Sequence, residues 1–281
     1  MPNPFDLEFM QNAYLAGTVI AILAATVGFF VVLRGLSFAA HALAHIGFAG
    51  ATGAVLIGAP PLLGLLAFTM LGAAVMGWLG ERLRGRDVAI GIVLAFALGL
   101  GALFLTLYTR YATETFAILF GTILGVSRTD LLTTAILGAL AIVALAVAFR
   151  PLLFLSVDPE VAASRGVPER FLSVGFFVLL AIAVSVAVQV VGVLLIFTLI
   201  IAPPATAEYL TARPSTTIAL AVGLGLLETW AGITLAYYIP WPVGFFIASI
   251  AFAIYLLARF LHPVFHVHRS EPAAEHAADH A

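Results

Sequence analysis

The chain has no cysteine and no lysine, and all twelve of its basic residues are arginine. Without cysteine there is no disulfide and no thiolate ligand, so any metal must be held by imidazole and carboxylate. Without lysine a Walker A phosphate loop, a Schiff base and a Ser–Lys dyad are all excluded. Charge of either sign is scarce: 9% of the 281 residues are charged, against about 25% in soluble domains, while 63% are hydrophobic. Those proportions describe an integral membrane protein. The net charge of −2 offers no basic face to nucleic acid.

What charge there is divides the chain into uncharged runs. A bilayer crossing takes about 20 apolar residues. Phe9 to Leu33 supplies one, ended by Arg34; with no basic residue before it and no small-residue cleavage pattern, it reads as a retained span and not a signal peptide. Gly35 to Gly80 is too long for one helix and is broken at Pro60-Pro61, giving two. The basic loop Glu81 to Asp87 follows, with Asp87 placed to cap a span from Val88 to about Tyr108. Phe116 to Val126 is too short to cross and is expected to form a re-entrant or interfacial helix. Leu131 to Phe149 is a span stopped by Arg150-Pro151.

The polar insertion Asp158 to Arg170 opens with Asp-Pro-Glu, which suits a helix start, and its Gly166 suits a helix end. It is expected to be one short helix outside the bilayer. Phe171 to Ala207 gives two spans turning near Gln189 to Gly192, and Pro214 to Ala258 gives two more, broken at Pro240-Trp241-Pro242. The expected fold is therefore all-α, with eight to nine spans and nine as the count adopted. Placing the Arg82 to Arg86 loop in the cytoplasm puts ten of the twelve arginines on that side, all but Arg110 and Arg128. That orientation sets the N-terminus outside, and the 158–170 helix and the C-terminus inside. Residues 1–261 form the membrane domain, and 262–281, with five histidines between acidic spacers, is expected to be a disordered tail.

Inside the Gly35 to Gly80 run the two strongly ionisable side chains are His41 and His45. At i and i+4 they share one helix face, close enough to grip a single ion. Ionisable groups at membrane depth are rare and point to a substrate path, although a pair satisfied by carbonyls or water has comparable odds on the residues alone. The spacing matches the zincin motif, but that motif needs Glu directly after the first His, and here the position is Ala42. A pair without a general base can hold a divalent ion but not hydrolyse with it, and imidazole suits zinc-like ions. Transport needs an energy source; Glu228, the one acid well inside a span, is thin for a proton relay but remains a candidate pathway residue. The 158–170 helix offers a surface on which a separate motor could push.

Taken in order, Leu33-Arg-Gly-Leu-Ser37 running into His41-x-x-x-His45, Asp87-Val-Ala-Ile-Gly91, Leu119-Phe-Gly121-Thr-Ile-Leu-Gly125-Val-Ser127, the Asp158 to Gly166 helix, Val191-Gly192-Val and Pro203-Pro-Ala-Thr206 form a set. Through it, residues 10 to 260 resemble the membrane permease of ATP-binding-cassette importers for zinc and manganese. The resemblance implies a homodimer in the cytoplasmic (inner) membrane and an extracytoplasmic protein that delivers the metal. It also implies two ATP-consuming subunits docked on coupling helices, here Asp158, Glu160, Arg165 and Gly166. The chain itself would be a transport subunit and not an enzyme, with no permanently bound cofactor. The family commonly has Asp where this chain has His41. Exchanging an oxygen ligand for imidazole favours zinc over manganese as cargo. The rival readings are a gradient-driven secondary metal transporter and a permease for manganese or a metal chelate.

Overall fold

Long uncharged runs become helices because a bilayer leaves backbone groups no partner but each other. The computed structural model describes residues 4–79, 86–107 and 117–266. A 3-10 turn at Pro4–Asp6 leads into α1 (Glu8–Leu33), followed by α2 (Ser37–Leu56), α3 (Pro61–Leu79) and α4 (Arg86–Leu107). After them come α5 (Arg128–Val157), α6 (Pro159–Ser164), α7 (Glu169–Leu210), α8 (Pro214–Tyr238) and α9 (Val243–His266). Among the described residues eight helices, all but α6, are long and apolar enough to cross a membrane. The proline breaks at 60–61 and 240–242 fall where expected.

One of the eight is a hairpin. At 42 residues, α7 is about twice the length of a crossing, and Gly192 inside it leaves helical geometry at φ 81°, ψ 165°. Its first leg starts beside the end of α1, where Arg34 Nη2 donates to Ser173 Oγ at 2.9 Å. The break lies against the 117–125 loop, where the Thr122 amide donates to the Val190 carbonyl at 3.0 Å. That loop sits at the N-terminal half of α1, with Asn12 Nδ2 donating to the Val126 carbonyl at 3.3 Å. The second leg comes back: a Cβ on Gly28 of α1 would collide with the Ile200 carbonyl. Residues 169–191 and 193–210 therefore run antiparallel, which agrees with the turn placed near Gln189 to Gly192 and with a count of nine crossings.

Both residues at that turn must be glycine for two separate reasons. Gly121 and Gly192 have φ values of 77° and 81°, a region side chains avoid. A Cβ on either would also run into the backbone of the other segment.

Three expectations need correction. The helix α5 is not stopped by Arg150-Pro151 but continues through Pro151 to Val157. Proline removes one amide donor, and a membrane helix tolerates that loss. The piece Phe116 to Val126 is not one helix: residues 117–120 are helical, Gly121 breaks the turn, and Ile123–Gly125 is a 3-10 turn. Asp87 lies in the first turn of α4 and not before it. The basic loop at 80–85, Arg110, and most of the histidine-rich tail (267–281) lie outside the described residues.

The two ends of the bundle are distinct. Glu8 pairs with Arg128 at 2.9 Å at the end that also holds the α7 turn. Arg34, α6 and Arg259, whose Nη1 donates to the Tyr209 hydroxyl at 2.9 Å, lie at the other. The start of α1 and the end of α9 are thus at opposite ends.

Candidate metal centre

The α2 helix carries no charged residue, and it packs against α3, α4 and α7. Small residues bring α3 close: a Cβ on Gly50 or on Gly64 would meet the carbonyl of the other. That packing buries Ala42, Leu43 and Ala44 but leaves His41 and His45 partly exposed on the remaining face. Their ring centroids are 4.5 Å apart at 72°, the proximity that i, i+4 spacing requires. The ring of Phe197, from the second leg of α7, also meets His41, the two ring centroids 4.9 Å apart at 72°.

Among the described residues no group of three or more His, Asp and Glu side chains converges. The pair therefore brings two imidazole nitrogens, and among the described residues no third His, Asp or Glu side chain joins them.

Glu228 is placed elsewhere. It lies on α8, which packs against α1, α7 and α9, and its side chain is fully buried. Among the described residues neither carboxylate oxygen has a hydrogen-bond partner. Its helix neighbours show the surroundings: Gly225 faces Ala21 and Pro203, and Gly232 faces Ile247. The structure does not bring Glu228 to the histidines.

The coupling candidates stay together on α6. Asp158 Oδ1 accepts from the Val161 amide at 3.0 Å and Pro159 takes the first helical position, so the expected N-terminal chemistry is present. At the other end the Gly166 amide donates to Ala163 at 3.0 Å and the Val167 amide to Ala162 at 3.1 Å. With Gly166 at φ 77° this is a Schellman motif. Only Ala162 is buried; Asp158, Glu160, Arg165 and Gly166 are exposed. Phe197 is the site neighbour that the sequence did not reveal, since nothing local marks it within the apolar run after Gly192.

An all-α bundle of antiparallel crossings, with an imidazole pair on one span and a capped helix projecting from one end, belongs to the multi-pass membrane transport proteins. Residues 6–262 match the model of the ABC 3 transport family, and the chain belongs to that family. It is similar to the manganese transport system membrane protein MntC of Halalkalibacterium halodurans, at 31% identity over 91% of this chain and 88% of that one. It is also similar to the manganese import system permease protein ScaB of Streptococcus gordonii, at 30% identity over 92% and 93%. Among solved structures, PsaBC from Streptococcus pneumoniae in complex with Fab matches with a TM-score of 0.82 and 30% identity, covering 92% of this chain and 96% of that one.

Proposed function

We propose that this chain is the membrane permease of an ATP-binding-cassette importer that moves a divalent transition-metal ion, gripped in passing by His41 and His45. The observation that carries this reading is the partly exposed imidazole pair, 4.5 Å apart on a span with no charged residue. Two imidazoles suit a transition metal and are poor ligands for magnesium or calcium. Because no third His, Asp or Glu among the described residues joins the pair, a second copy facing the first across the path completes the site, and the permease works as a homodimer.

Energy comes from a separate ATP-binding subunit, since the chain has no lysine for a phosphate loop. That subunit docks on α6 through Asp158, Glu160 and Arg165, at the arginine-rich end, which is cytoplasmic by the charge rule. The N-terminus is then outside and the end of α9 inside, and an extracytoplasmic protein delivers the ion. Glu228, buried among apolar helices, is assigned to packing and not to the path.

On the cargo two observations pull apart. Two relatives carry manganese in their names, which favours manganese over the zinc expected from His41. Zinc stays as a second reading because the donors on the path are both nitrogen.

The test is uptake of radioactive manganese and zinc by cells expressing the permease with its ATPase and binding protein. His41→Ala and His45→Ala, at wild-type membrane levels, should each abolish uptake of the carried ion. Near-normal uptake in both variants rejects the site. Uptake that survives ATP depletion favours a gradient-driven carrier instead.

A further inference from the structure

His41 touches two rings, and only one of them has a nitrogen that can ligate a metal. The His45 ring lies 4.5 Å away and the Phe197 ring 4.9 Å away, each inclined at 72° to the His41 ring. Phe197 also lines a cavity of about 330 Å³ between the second leg of α7 and α9, together with Ile201, Ala205, Ala248, Phe252 and Tyr255 among others. An imidazole on a helix can rotate between staggered positions. Without the phenyl ring, His41 and the cavity would share one space, and the side chain could swing away from His45. Resting on the reading that the histidines bind the ion, we infer that Phe197 is the positioning and specificity-determining residue of the pair. Its ring fixes the His41 imidazole beside His45 and closes that flank of the ion to oxygen donors.

The second half follows from ligand chemistry. Manganese is well served by water, carbonyl and carboxylate oxygens, whereas imidazole serves zinc well. A hydrocarbon ring against His41 provides no oxygen and takes up space that water would otherwise fill. Whatever the zinc-to-manganese preference of the wild type, Phe197 raises it.

Equilibrium dialysis of the purified full-length permease, against zinc alone and against zinc with manganese as competitor, tests this. The His41→Ala/His45→Ala double variant supplies the background from the tail histidines. Groups that orient a metal ligand typically account for about 10- to 100-fold in affinity, so Phe197→Ala should weaken zinc binding at the pair about tenfold. The zinc-to-manganese ratio should fall with it. Phe197→Leu, which refills the space without a donor, should restore most of both. Phe197→Gln, which keeps the bulk but adds an oxygen, should shift the ratio toward manganese even if the alanine variant fails to assemble. An unchanged ratio in Phe197→Gln, or equal losses for both metals in Phe197→Ala, would show that Phe197 only packs. If instead the double histidine variant binds as much metal as wild type, the histidine assignment fails, and that result is distinct from failure at Phe197.

Discussion

His41 and His45 lie on α2 with partly exposed rings 4.5 Å apart, whereas Glu228 on α8 is fully buried and has no partner for either oxygen among the described residues. Both are ionisable features inside spans, and burial in an apolar setting is costly for a charge in either case. The difference lies in access and convergence. A ligand for a passing ion must be reachable and must act with another donor; the histidines meet both conditions and Glu228 meets neither. An intramembrane acid read from sequence is thus ambiguous until its helix face is known.

The sharpest way to break this contrast is to place a charge at each position. A lysine at the centre of a span costs about 2.5–3.5 kcal/mol even by insertion scales, and more where nothing can solvate it. Glu228→Lys should therefore lose most of the protein from the membrane fraction. His41→Lys, on a partly open face, should accumulate normally but fail to transport. Quantitative blotting of membranes reads both outcomes, and equal accumulation would remove the distinction.

A smaller change sharpens the ligand side. His41→Asp returns an oxygen donor to the pair, so manganese should compete better against zinc uptake than it does in wild type. Identical competition curves would move selectivity to the delivery protein. Smaller again is the effect expected at α6, away from both features. A Cβ on Gly166 meets nothing within 4 Å, so Gly166→Val carries only the cost of its left-handed backbone, about 1–2 kcal/mol. The variant should insert normally yet stimulate its ATPase less, and full stimulation would exclude α6 as the docking element.

Much of this architecture was legible because membrane helices announce themselves through charge-free runs, and prolines at 60–61 and 240–242 mark where those runs break. The histidine contact was legible too, since i, i+4 spacing is a local property of one helix. Other features depend on segments far apart in the chain. That Phe197 packs on His41, and that Gly121 seats against Gly192, follow from how the legs of α7 fold back, which no local pattern encodes. Pro151 misled for a related reason: its missing amide is a local signal to stop, but the surrounding bundle sustains the helix to Val157. Sequence gives the depth of Glu228 and not its face, and its burial on α8 came only with the fold.

The most direct measurement sets the two features side by side with matched substitutions: metal uptake into vesicles containing His45→Gln or Glu228→Gln permease at equal protein levels. Each change removes the ionisable group and leaves a neutral side chain of similar size. The account predicts that His45→Gln loses uptake while Glu228→Gln keeps it within about twofold of wild type, since a buried carboxyl exchanged for an amide of the same shape alters little. Loss of uptake in Glu228→Gln with uptake preserved in His45→Gln would contradict it.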